Sequence, residues 1–303
     1  MGEKGVIISL LKNILIKGYN TMVYLQNEEL KVEIKELGAE VQSIVTKEGR
    51  ECVWQGNPDF WKGRGPHLFP ICGRLRDNKY IYGGKEYSLG SHGFARFMEY
   101  KAEKISDTCA VFSLSENEET MQSYPFKFEL QIKYTLEGRK VNVEYTVNNT
   151  NDYDMYFSIG GHESYACEGG IENFYMEFDK NVTLDSYTVV GPIINHEKTR
   201  ILDNSNILPL KNDYFKVDAL VFKDIDFDSL TIKKNDGTHN VKVDFKGFEN
   251  MLLWMVPGAE YICVEPWFGF PDFDDTDYIF ETKVGIQKLA PGKTFNAVHS
   301  MTY

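Results

Sequence analysis

A chain of 303 residues with 42% hydrophobic and 14% aromatic side chains has ample material for a packed core, which excludes a disordered polypeptide. Its net charge of −12, from 33 basic against 45 acidic residues without any lysine–arginine run, excludes a nucleic-acid partner held through the phosphate backbone. Five cysteines (Cys52, Cys72, Cys109, Cys167, Cys263) without CxxC spacing read as buried thiols of a reducing compartment; a cytoplasmic protein without disulfide framework or zinc site is expected.

The first residues, MGEKGVIISLLKNILIKGYN, are basic and apolar, but Lys12 interrupts the apolar run and no small-residue cleavage site follows. The stretch is also too short and too charged to span a bilayer, so no membrane association is expected. Residues 1–21 read as an extension, helical or disordered, before a domain over 22–303; a docked N-terminal helix is the alternative.

Beyond it, LKVEIKEL (30–37) and CAVFSLS (109–115) are strand candidates. FKFELQIKYTLEGRKVNVEYTV (126–147) places Phe126, Phe128, Leu130, Ile132 and Tyr134 on one face, turns at Glu137-Gly138, and alternates again through Val141, Val143, Tyr145 and Val147. This is a β-hairpin pattern. LTIKKNDGTHNVKVDF (230–245) repeats it around Asp236-Gly237, a pair that tolerates the positive φ of a tight hairpin turn. YICVEPW (261–267) is a further strand. No long helical periodicity, linker or short repeat follows the N-terminus. The expectation is one all-β domain, a large β-sandwich of two sheets packed face to face.

Four stretches break the alternation with polar residues that a plain core would not select: GPHLFPICGRLRDNKYIYGGKEY (65–87) with Arg74 and Arg76, SHGFAR (91–96) with His92 and Arg96, SIGGHESY (158–165) with His162, and CVEPWFGFPD (263–272) with Glu265 and Trp267. Each has a bland reading. A histidine beside glycines is commonly a hydrogen-bonded structural residue, a glutamate at a strand end is commonly solvated, and Arg74 and Arg76 can form a solvated cluster with Asp77 and Lys79.

Taken in order, LFPICGRL, YSLGSHGFAR, IGGH, VDALVF and CVEPWFG resemble the aldose 1-epimerase (galactose mutarotase-like) family, most closely its LacX-like and hexose-6-phosphate mutarotase subgroup. The resemblance runs from about Met22 to the C-terminus and includes VWQGNPDFW (53–61). It implies a β-supersandwich and cofactor-free interconversion of the α and β anomers of a hexose or hexose 6-phosphate. It places Glu265 as catalytic base, His162 as catalytic acid and His92 near the sugar ring oxygen. Arg74 and Asp218 fall at sugar-binding positions and Arg96 at a phosphate-specificity position, while Trp267, Phe69 and Phe268 offer an apolar platform. Where the subgroup follows its histidine with a proline, this chain has Glu163-Ser164-Tyr165; an added carboxylate there is expected to raise the proton affinity of His162.

Such chemistry needs a general base at the anomeric hydroxyl and a general acid at the ring oxygen, with no metal or nucleotide. The partner is a small sugar or sugar phosphate, and the protein a monomer or homodimer. Two other classes stay open. One is a non-catalytic carbohydrate-binding protein on the same fold. The other is a glycoside hydrolase, for which Glu265 and Asp218 would have to flank the scissile bond about 5–9.5 Å apart. The acidic string PDFDDTDY (271–278) lacks the spacing of a calcium loop and reads as a solvated loop; His67, His196, His239 and His299 carry no companion motif and read as structural or exposed.

Overall fold

The computed structural model describes residues 21–303; residues 1–20, and with them nearly all of the expected extension, lie outside the described residues. In chain order the strands are β1 (Met22–Gln26), β2 (Leu30–Lys35), β3 (Val41–Thr46), β4 (Lys79–Tyr82), β5 (Lys85–Ser88), β6 (Lys101–Ser106) and β7 (Cys109–Ser115). Then follow β8 (Phe128–Glu137), β9 (Lys140–Asn149), β10 (Met155–Phe157), β11 (Ile159–Gly160), β12 (Glu163–Ala166), β13 (Phe174–Val190) and β14 (Ile193–Pro209). The last are β15 (Leu220–Lys223), β16 (Ser229–Lys234), β17 (Asn240–Asp244), β18 (Asn250–Trp254), β19 (Tyr261–Phe268), β20 (Gln287–Leu289) and β21 (Thr294–Thr302). Among the described residues the one α-helix is the four-residue turn Thr120–Ser123.

The period-2 segments are strands as expected. In β8 and β9 every second residue is buried, from Phe128 to Leu136 and from Val141 to Asn149, so one face meets the core and the other meets solvent. Their register runs from Phe128 opposite Asn149 to Glu137 opposite Lys140, which makes Gly138-Arg139 the loop, one residue beyond the expected Glu137-Gly138; Gly138 takes the positive φ that the tight connection requires. β16 and β17 pair around the Asp236-Gly237 turn in the same way.

Fourteen strands form one hydrogen-bonded sheet in the order β11-β19-β18-β15-β13-β16-β17-β21-β9-β8-β7-β6, with β12 also on β19 and β14 on β13. β1-β2-β3 form a separate sheet, and β4-β5 and β10-β20 are two-stranded. The sandwich is thus one sheet doubled over, where two separate sheets were expected. The joint is β21, which pairs with β9 along its whole length and with β17 through Ser300–Thr302. One apolar cluster spans both halves, with Phe128, Ile132 and Val143 on one side and Ile262, Val264 and Met251 on the other.

β19 departs from alternation: seven of its eight residues are buried. Its two faces are both covered, one by the core and the other by the loops of a large cavity, so the strand reads as a continuous apolar run with Glu265 placed inside it.

Candidate active site

A cavity of about 550 Å³ opens above β18 and β19. Leu252, Trp254, Glu265 and Trp267 form its floor. The loop before β4 brings Gly73 and Arg74, the loop after β5 brings Ser91, His92 and Arg96, and the tip of the β13–β14 hairpin closes one side. Residues 215–219, including Asp218, close another. All seven side chains singled out in the sequence (His92, His162, Glu265, Arg74, Arg96, Asp218, Trp267) line this one cavity.

His162 sits in the turn between β11 and β12, and Glu265 lies in β19, antiparallel to both. His162 Nε2 is 3.4 Å from Glu265 Oε1. The two are 7% and 2% exposed, so almost no solvent screens them. Burial pushes the Glu265 carboxyl well above the usual carboxylate range, and the nearby charges of Asp218 and Glu163 add to the effect. Burial likewise pushes His162 down to about 4. The adjacent Glu163 works in the expected upward direction but loses to desolvation, so the net shift of His162 is opposite to the one expected from the sequence.

The glycines are required here by contact. A Cβ on Gly160 would stand 2.4 Å from Trp267 Cδ1, and one on Gly161 would stand 2.3 Å from the Glu163 carboxylate. Gly161 donates its N–H to Pro266 O at 3.3 Å and accepts from the Trp267 indole at 3.0 Å, which ties the turn to β19.

His92 has a φ of 63°, a left-handed conformation that a non-glycine residue adopts only under outside constraint. The constraint is reciprocal: His92 N–H donates to Gly73 O at 2.8 Å, and Gly73 N–H donates to His92 Nδ1 at 3.1 Å. With Nδ1 accepting, the neutral ring carries its proton on Nε2. Burial holds this imidazole well below its ordinary pKa, with His162, Arg96 and Arg74 contributing. Its ring lies edge-on to both His162 (5.5 Å) and Trp267 (5.6 Å).

Arg74 is exposed, and its guanidinium has no partner among the described residues. Arg96 donates from Nη2 to Ser91 O at 2.9 Å, while its buried Nε has no partner. Two aromatic walls escaped the sequence reading. Trp61 stacks on His162 at 5.0 Å, and Trp254 meets the same ring edge-on at 5.6 Å. Trp61 lay within the quoted VWQGNPDFW segment, and Trp254 ends a strand just before Pro257-Gly258, but neither position marks a side chain as facing a ligand. The expected platform is narrower than proposed. Phe69 is wholly buried in the core, and Phe268, one residue past Trp267, points to the opposite face against Phe248 and Phe295.

Donor atoms of His162, Cys263 and Glu265 approach within 4.8 Å of one another. Burial keeps the Cys263 thiol protonated, and the group suits proton transfer better than ion binding. In the acidic string, Asp272 is not solvated as expected: it is buried against Lys283 Nζ at 2.7 Å. Asp274 and Asp275 are exposed, with Asp275 bonded to His196 at 3.0 Å.

Comparison with known proteins adds three findings. Residues 21–300 match the family described as aldose 1-epimerase. The plasmid-borne protein LacX of Lactococcus lactis subsp. lactis is 31% identical over 294 residues, covering 92% of this chain and 98% of that protein. Two solved structures superpose closely. A galactose mutarotase related enzyme from Lactobacillus acidophilus has 34% identity and a TM-score of 0.88, covering 93% of this chain and 97% of that one. A galactose mutarotase-like protein from Lactobacillus casei ATCC 334 has 27% identity and a TM-score of 0.86, covering 93% and 99%.

Proposed function

The chain belongs to the aldose 1-epimerase family and is an isomerase of that type, and from that premise we propose that it interconverts the α and β anomers of a hexose 6-phosphate without a cofactor. The single observation that carries the mechanism is the buried His162–Glu265 pair, 3.4 Å apart on the wall of the cavity.

The anomeric oxygen O1 and the ring oxygen O5 are both bonded to C1, so one acid and one base at this separation reach both. Glu265 takes the O1 proton as the C1–O5 bond breaks, and His162 gives its proton to O5. The product is the open-chain aldehyde. Rotation about C1–C2 presents the other carbonyl face, and the same two transfers in reverse close the ring. The pair therefore holds one proton at rest and one at the end. Burial disfavours both the carboxylate and the imidazolium, so the resting proton is held between two weakly charged partners and is available to either oxygen. The Nε2–H of His92 is a neutral donor for O5, and Asp218 and Arg74 are positioned for the hydroxyls.

What supports a phosphorylated substrate is charge without a partner. In a chain of net charge −12, Arg74 lines the cavity unpaired and Arg96 keeps a buried, unbonded Nε. Arginines bind phosphate oxygens in a bidentate fork.

The test is anomer equilibration of glucose, galactose and their 6-phosphates, followed by polarimetry or NMR. Acceleration is expected for all four and is greatest for the phosphates. Arg96→Ala should raise KM for the phosphates far more than for free sugars; equal losses would remove the phosphate contact from the proposal. Sugar binding without acceleration would favour the non-catalytic carbohydrate-binding reading.

A further inference from the structure

On the far side of the β12 backbone from the cavity lies a buried polar group that the proton-transfer scheme does not use. Side chains alternate along a strand, so His162 faces the cavity while Glu163, opposite Val264 of β19, faces the core. Glu163 is 6% exposed, and its Oε1 lies 2.8 Å from Nε2 of His299, itself 1% exposed, on β21. The His299 ring is stacked on Tyr145 at 5.5 Å. The Tyr134 hydroxyl donates to Ala39 O at 2.8 Å, so it accepts the Nε2–H of His67 at 2.6 Å, and Tyr145 donates to His67 Nδ1 at 2.8 Å. The Glu163 carboxylate is folded back against Gly161, the residue whose carbonyl holds the Trp267 indole.

We propose that Glu163, pinned by His299, is a positioning residue: it braces the Gly161-His162 turn from behind and keeps a negative charge beneath the His162–Glu265 pair. This rests on the reading of that pair as the acid and base. A proline is one way to stiffen the backbone after such a histidine; a buried carboxylate locked to a neighbouring strand is another, and it brings a charge as well. His299 and His67 hold the Glu163 carboxyl below the usual carboxylate range against its burial, so it stays ionised.

The groups facing it are His299 from β21, His67 from the loop before β4, and Tyr134 and Tyr145 from β8 and β9. Tyr165 lies on its own strand, Cys263 and Glu265 on β19, and Tyr303 beyond β21. Glu40, which accepts from Gly65 N–H at 3.0 Å, acts on the same neighbourhood. Among these, Glu265 and His162 both gain proton affinity from the Glu163 charge.

The experiment is the pH profile of kcat and KM for Glu163→Gln in the full chain, beside Glu265→Gln and His162→Asn. Glu163→Gln should move both limbs of the kcat profile to lower pH, lower kcat about tenfold near neutrality, a change equal to one pH unit of proton affinity, and leave KM within about twofold. A purely structural role would scale the whole profile without moving its limbs, and that result overturns the proposal. If Glu163→Gln does not fold, Glu163→Asp keeps the charge but withdraws it from Gly161. It should lower kcat with both limbs in place; wild-type kcat in that variant overturns the brace. Glu265→Gln and His162→Asn at wild-type rates would instead defeat the underlying acid–base reading.

Discussion

Two side chains carry the proposed chemistry, and their environments state what each substitution should do. Glu265→Gln preserves shape and removes the base; His162→Asn removes the acid. Each should slow anomer equilibration by about 10²–10⁴-fold, the ordinary worth of one acid–base group. Because Glu265 is buried and its carboxyl is already held toward the neutral form, the Gln variant should melt no lower than the parent at neutral pH. A large loss of thermal stability would mean that the carboxylate is a structural anchor. The wild-type rate should hold a plateau through neutrality and fall in acid as the pair takes a second proton, with the limb near the depressed pKa of His162 at about 4. A limb at an unshifted histidine value would show that His162 is solvated during turnover.

At the scale of the element, the site depends on a short turn, Gly160-Gly161-His162, held against β19 by the Trp267 indole. Trp267→Phe removes that hydrogen bond and nothing else of comparable size. A stability loss of about 0.5–1.5 kcal/mol is expected, with a larger proportional loss in kcat/KM, since the turn that aims His162 is loosened. Thermal melts beside steady-state rates check this; equal proportional losses would assign Trp267 to packing alone. Gly160→Ala places a Cβ 2.8 Å from Pro266 O, a backbone atom that cannot retreat freely, and should cost about 1–3 kcal/mol. The element scale also shows what pattern reading could reach. β8, β9, β16 and β17 were legible because one face meets water and alternation records it. β19 was legible only as an apolar run, because a strand covered on both faces keeps no period. Trp61 and Trp254 were missed for a related reason: an aromatic facing a cavity and one facing the core carry the same sequence signal.

For the whole molecule, the doubled sheet brings together groups that no local motif links. Glu163 and His299 are 136 residues apart, and His67 and Tyr145 are 78 apart; histidines read from the sequence as unaccompanied are in fact members of one buried network. That burial has a consequence for stability against pH. His67, His162 and His239 are each pushed down to about 4, by burial first in every case. The unfolded chain takes up their protons near 6.5, and the folded chain refuses them until about 4, so between these values the unfolded state binds more protons and stability falls as pH falls. Glu163 and Glu40, held below the ordinary glutamate range, act with the same sign lower in the scale, because protonating them gives up the native partners His299 and Lys35. Glu265 has the opposite sign: its raised carboxyl contributes most in acid and loses that contribution as pH rises above 4.5. Three histidines against one carboxyl set the balance between pH 6.5 and 4.5, so Tm should drop steadily across that range. His67→Gln, which can keep hydrogen bonds to Tyr134 and Tyr145 without titrating, should flatten the slope. A Tm that stays level or rises on acidification would mean that water reaches these imidazoles and that the two halves of the sheet do not seal the interior between them.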